Sequence, residues 1–357
     1  MAAVTEANAP MLYPDGWLAK VHLDDAASSE PDISALSLSN DKAAPQSQEK
    51  ELLPSARAAS PRAGLSLFTI FARMGADEHL APGVATSWES PTKLTSTLRS
   101  SGTRIAAHLE HWHTTPDDVK GASGAQDGIS ANAIEDQGWA GKLAELVWIN
   151  TLLLGAVNPA RLSPSELKHD FFLMHSHNAT LFLPSYLRLS GLRPHSRAML
   201  LHGLARTTAH IWIARGRPNF FIRERLNSTP IESGKAKEES SEAEAEAEAM
   251  DKYVRAAATH LDVHLAKAAR AQAHFATWLG SGSFSSSPTP AGTLALQADG
   301  EDSKGKEEKV FKGQLAELDG AAFVRTIAQL FASQGWEAPA DGSMRWCVAL
   351  TLVLNRE

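Results

Sequence analysis

A chain of 357 residues with 43 % hydrophobic side chains can bury the core of one large domain or two average ones. A net charge of −7, with no basic stripe interleaved with aromatics, argues against nucleic acid as a partner. The single cysteine, Cys347, excludes a disulfide framework and any multi-cysteine zinc or iron–sulfur site, and it points to a reducing compartment.

Residues 23–63 are rich in Asp, Ala, Ser, Pro and Gln without sustained periodicity, and residues 1–63 are expected to be a mostly disordered leader. Within it, Leu12, Tyr13, Trp17, Leu18 and Val21 form a short apolar cluster suited to a detached strap. Order is expected from residue 64 to the end as a single large helical domain. Leu65, Leu67, Phe68, Phe71 and Met74 recur at helical spacing, a second helix is predicted over residues 92–113, and Pro116 breaks it. Leu143, Leu146, Val147, Asn150, Leu153 and Leu154 mark a strongly apolar helix ended by Gly155 and Pro159. Ser163-Pro164-Ser165-Glu166 reads as the start of a further helix, by an N-cap serine with proline behind it, running on to a bend at Pro184. Pro194 opens the next, which Gly216 and Pro218 stop.

Two polar insertions are expected, about residues 227–250, with an alternating Glu-Ala run, and 281–309, rich in Ser, Gly, Lys and Glu. A long amphipathic helix over about residues 250–279 lies between them, and helices over about 311–334 and 343–354 close the chain. No strand pattern competes, so the fold class is all-α. No run approaches the ~18 apolar residues of a membrane span, and the first ten residues lack a signal region. The expectation is a soluble, cytoplasmic protein with no membrane partner.

Fourteen histidines stand in the chain, several on shared helical faces. His175 follows Phe171 and Phe172 by one turn and precedes Asn178, which reads as either a bonded core imidazole or a ligand. His195, His202, Arg206 and His210 form a polar stripe on an otherwise leucine-rich and aromatic helix. That stripe suits an exposed face, or a cavity lining in which Arg206 holds a phenolate or carboxylate. His108, Glu110, His111 and His113 cluster at one helix end, where histidines complement the dipole. His260 and His264 have the one-turn spacing of a zinc-binding helix without the glutamate of the metalloprotease motif. The sequence has no Gly-x-Gly-x-x-Gly, no P-loop and no Gly-x-Ser-x-Gly elbow, so it carries no built-in nucleotide-binding motif.

The string Asp170-Phe171-Phe172-Leu173-Met174-His175, continuing to Leu183-Pro184, resembles the signature segment of the questin oxidase-like family. Ala144-Glu145-Leu146-Val147-Trp148 before it resembles the same family, as do Ala198-Met199-Leu200-Leu201 and Trp212-Ile213-Ala214-Arg215-Gly216-Arg217-Pro218 after it. Leu65-Ser66-Leu67-Phe68 to Leu80-Ala81-Pro82 is also similar, so the likeness spans about residues 64–354 outside the insertions. The resemblance implies an oxygenase that inserts oxygen into an aromatic polyketide ring, of anthraquinone type, in secondary metabolism by a Baeyer–Villiger-type or ring-cleaving reaction. It also implies NADPH as a diffusing reductant in some members, and in a relative a non-haem iron held by histidines and a carboxylated lysine. By that likeness His175 is a catalytic metal ligand and Arg206 a catalytic pocket residue, with His202, His210, Phe171 and Asn178 beside the substrate. The chain departs from the pattern in two places. No histidine-rich helix or His-Pro-Leu-Ile-His-like segment stands upstream of Leu65, and Leu204 occupies the expected lysine position. Leucine coordinates no metal, which leaves a non-catalytic relative that binds a ligand or partner as the alternative reading.

Overall fold

The computed structural model describes residues 65–81, 93–112, 139–157, 168–231, 242–280, 315 and 318–335. Among the described residues the fold is all-α, and β structure is confined to isolated bridge residues, as in the antiparallel bridge between Val157 and Phe220. The leader, the strap cluster, Pro116, Ser163 to Glu166, residues 281–309 and 343–354, His113 and Cys347 all lie outside the described residues.

Helix α1, Leu67–Ala76, starts where Ser66 accepts a hydrogen bond from the Thr69 amide at 3.2 Å. It buries Leu67, Phe68, Ile70, Phe71 and Met74. Helix α2 is Lys93–Leu109 and helix α3 is Ala140–Gly155. Apolar on all sides, α3 is the central helix. It touches α1 and four later helices, α4 (Phe171–Thr180), α6 (Pro194–Ala214), α8 (Val263–Leu279) and α9 (Ala322–Gln334). Helix α2 packs on α6 and α1, and α7 (Glu242–Thr259) packs on α8 and α9. The apolar core forms two clusters, and α3, α4, α8 and α9 contribute to both.

Three boundaries differ from expectation. Asp170 caps α4, accepting from the amides of Phe172 at 2.9 Å and Leu173 at 3.2 Å, and that helix does not run on to Pro184. Pro184 sits instead in the first turn of a separate short helix, α5 (Leu183–Leu187), where a missing N–H is harmless. Residues 250–279 are not one helix either, because α7 ends at Thr259 and Asp262 caps α8 through the His264 amide at 2.9 Å. Residues 242–250 of the expected insertion form the first half of α7, with Ala249 fully buried, because the alternating alanines are strong helix formers.

Close packing at the end of α3 gives a stability prediction. A Cβ on Gly155 would lie 2.5 Å from Thr326 Oγ1 and 2.9 Å from Leu226 Cδ2. Thr326 is bonded through its hydroxyl to the Ala322 carbonyl at 2.8 Å, so it cannot turn away without losing that bond. Gly155→Ala is expected to cost about 1–3 kcal/mol, seen as a lower urea midpoint at unchanged slope.

Candidate functional site

The polar stripe on α6 is covered, not solvent-facing. His202, Arg206 and His210 are 5 %, 2 % and 3 % exposed. Helix α2 runs antiparallel over them. His210 Nε2 lies 3.1 Å from the Leu94 carbonyl near the start of α2, and the Trp112 ring, just past its end, stands edge-on to His202 at 5.1 Å. A carbonyl only accepts, so His210 carries its proton on Nε2 and presents a bare lone pair at Nδ1. That Nδ1 is buried and has no hydrogen-bond partner. Burial pushes the His210 pKa down to about 4, against the bond to Leu94, so the ring is neutral at pH 7.

A buried carboxylate closes the Trp112 end. Glu145 Oε2 accepts from Trp112 Nε1 at 3.0 Å and from the Leu67 amide at 2.6 Å. Lys142 Nζ stands 3.7 Å from the other Glu145 oxygen and 5.4 Å over the Trp112 ring. Below the stripe, Ser176 Oγ bonds to Asn150 Oδ1 and to Thr208 Oγ1, both at 2.7 Å, tying α3, α4 and α6 together. The arrangement sets a buried guanidinium between two buried imidazoles, one turn to either side. A guanidinium in such a place can pair with a phenolate or carboxylate, and His210 Nδ1 can accept a hydrogen bond.

The other expected site residues fall elsewhere. His175 is exposed, because α4 buries the stripe of Leu173, Met174, His177 and Thr180, while Phe171, His175 and Ala179 lie on its outward side. Phe171 is half-buried there, its ring edge-on to His175 at 4.5 Å and to His264 at 4.8 Å. The buried-looking aromatic face at His175 is therefore an outer one. Partial burial, then the His264 and Lys267 charges, push the His175 pKa down. Asn178 Nδ2 turns back on Met174 Sδ at 2.8 Å, so neither Phe171 nor Asn178 joins the stripe. His195 is half-buried at the start of α6. His260 and His264 flank the break between α7 and α8, where His260 Nδ1 accepts from the Asp262 amide at 3.0 Å and His264 Nδ1 bonds Asp262 Oδ1 at 2.9 Å. His108 Nε2 pairs with Asp77 at 2.8 Å.

Among the described residues no group of three His, Cys, Asp or Glu side chains is placed to hold a metal ion. His175 has one imidazole beside it, that of His264 at 5.8 Å between ring centroids, and two such donors are too few for a non-haem iron. Leu204 is 7 % exposed and packs in the larger apolar cluster. The described donor set does not fit that iron centre.

The signature strings have a structural reason to occur together. Asp170, besides capping α4, accepts from Arg215 Nε at 2.5 Å, and Gly216 (φ 92°) and Arg217 (φ 50°) then turn the chain sharply out of α6. Arg217 Nη1 donates to the carbonyls of Met74 at 3.0 Å and Asp77 at 2.6 Å, closing the end of α1. Trp212 Nε1 reaches the Pro218 carbonyl at 3.0 Å. A family model for questin oxidase-like proteins matches residues 15–272. The chain belongs to the questin oxidase-like family. Its match begins ahead of the first described residue, within the stretch read as a leader, and ends inside α8, so α9 lies beyond it. Questin oxidase-like membership points to an oxidoreductase of polyketide metabolism. No curated protein matches the chain. Among the described residues no helix is long and apolar enough to cross a membrane.

Sequence reasoning passed over Trp112, Glu145 and His177. Glu145 was visible only as part of a resemblance, although a carboxylate inside an apolar helix signals a bonded interior group. His177 shares the one-turn spacing of Asp170, Leu173, Met174 and Thr180, and that stripe was the signal that it, and not His175, faces inward.

Proposed function

We infer that this questin oxidase-like protein is an oxygenase acting on an anthraquinone-type aromatic polyketide, inserting oxygen beside a ring carbonyl. Buried Arg206 between His202 and His210 is the observation that carries this reading. A guanidinium there stabilises a phenolate, and ionising a ring hydroxyl makes the ring electron-rich toward dioxygen. The phenolate is the form bound, its proton left to solvent, and His210 Nδ1 accepts a hydrogen bond from a neighbouring ring hydroxyl, while the enclosure by α2 keeps water from the charged ring. One oxygen atom enters the carbon skeleton between carbonyl and ring carbon, and the other leaves as water. The two electrons for that water come from a diffusing reductant such as NADPH, since the chain has no dinucleotide motif.

Dioxygen uptake by the purified full chain with a hydroxylated anthraquinone and NADPH tests the reading. Arg206→Gln is expected to lower kcat/KM about 10- to 100-fold, the value of a lost charge-assisted hydrogen bond, with little change in the far-UV spectrum. The second reading, a relative that binds the aromatic without turnover, is favoured by Leu204 in the core and by the two-imidazole surroundings of His175. Tight binding of the anthraquinone with no oxygen uptake by wild-type protein would establish that reading instead.

A further inference from the structure

Among the fully buried side chains outside the stripe, two on packed helices lack a hydrogen-bond partner at every polar side-chain atom. His177 of α4 has no partner at either ring nitrogen, and Gln272 of α8 has none at its amide oxygen or nitrogen. Helices α4 and α8 pack on one another. His177 lies on that contact, its ring edge-on to Phe275 of α8 at 5.6 Å. Gln272 sits one turn before Phe275 on the buried side of α8. Leu173, Ala271 and Phe275 of these two helices belong to one apolar cluster, and Trp278 Nε1 of α8 is a further buried donor without a partner.

A buried polar atom left unbonded forfeits its hydration with nothing in return, so such atoms are completed by a partner. Four such atoms on the buried sides of two packed helices therefore imply a bonding group that completes them. The chemistry of the pair narrows what that group is. Burial pushes the His177 pKa down to about 3, so its imidazole is neutral and offers one donor and one acceptor. The Gln272 amide also offers both, and neither side chain brings a charge that would balance a charged ligand.

We propose that His177 and Gln272 form a neutral recognition subsite at the α4–α8 contact, taking the carbonyl and hydroxyl oxygens of an uncharged planar aromatic ligand. This rests on the oxygenase reading for the class of ligand and adds a group that selects uncharged oxygen functions, where Arg206 selects an anion. Both residues lie within the span that matches the family.

Two probes separate this subsite from the stripe: 1,8-dihydroxyanthraquinone below the pKa of its phenols, and anthraquinone-2-carboxylate. Binding of each to the full chain is followed by tryptophan fluorescence, for wild type, His177→Leu, Gln272→Leu and Arg206→Gln, with the Tm of each protein. Expected is a loss of about tenfold or more in affinity for the neutral probe in His177→Leu and Gln272→Leu. Their Tm should equal or exceed that of wild type, because leucine removes unbonded polar atoms. Affinity for the carboxylate should fall mainly in Arg206→Gln. Unchanged affinity of the two leucine variants for the neutral probe, or no binding of that probe to wild type, overturns the proposal and leaves ordered water as the occupant. If His177→Leu does not fold, His177→Asn and Gln272→Leu decide the matter on the same readouts. His177-dependent binding without oxygen uptake would leave the subsite standing and remove the oxygenase reading; Arg206-dependent turnover with a His177-independent neutral probe would do the reverse.

Discussion

Asp170→Ala is expected to lower the stability of the protein by about 3–5 kcal/mol, a change visible as a large fall in urea midpoint. Two losses add. The carboxylate holds the free amides of Phe172 and Leu173 in the first turn of α4, and its removal leaves the Arg215 guanidinium, 6 % exposed, buried without its counter-charge. Asp170→Asn separates them, because asparagine keeps an acceptor for the cap but not the charge. Most of the penalty should remain in Asp170→Asn. Burial pushes the Asp170 carboxyl up despite Arg215 and the two amides, a sign that desolvation outweighs the attraction within the pair. The double variant Asp170→Asn with Arg215→Met should therefore recover most of the lost stability, the methionine still covering the face of Phe172 that Arg215 now covers at 5.1 Å. A double variant as unstable as either single one would show that the pair acts through geometry and not through charge.

How far the sequence could be read follows from what each signal encodes. The continuous apolar run of α3 and the proline and glycine punctuation of α6 are local, and both helices stand where periodicity puts them. The break at His260 was hidden because the apolar spacing continues in phase across it, and only the Asp262 cap marks the new start. At the site the residue types were legible but their directions were not. Arg206 and its two histidines read equally as an exposed stripe or a lining, since the covering helix α2 is remote in sequence and its contact through Leu94 and Trp112 is tertiary. His175 drew attention by its aromatic neighbours, yet Phe171 is itself only half-buried, and the helix turns its inner face to His177. The signature motif likewise marked Asp170 and Arg215 as a pattern without showing that they meet.

Acid should begin to destabilise this protein well above the range in which its carboxylates titrate. Burial holds His169 at about 4, His177 at about 3 and His210 at about 4, whereas an unfolded histidine titrates near 6.5. Below that value the unfolded chain binds protons that the folded chain refuses, so this stability is complete above pH 6.5 and is lost as pH falls toward the folded values. Each histidine removes about 1.4 kcal/mol per pH unit and the three together about 4, against a domain stability of about 5–15 kcal/mol. A domain stability of about 5–10 kcal/mol is then used up about one to three units below pH 6.5. Asp170, whose carboxyl is raised, works in the opposite sense and softens the lower part of the transition. Urea midpoints measured from pH 7.5 down to 4.5 check the slope, and His177→Leu should flatten it by about one third because one of the three groups is gone. A midpoint constant over that range would mean that these imidazoles gain protons without unfolding. In that case a neutral His177 and a neutral His210, on which the recognition chemistry depends, would both be lost as assumptions.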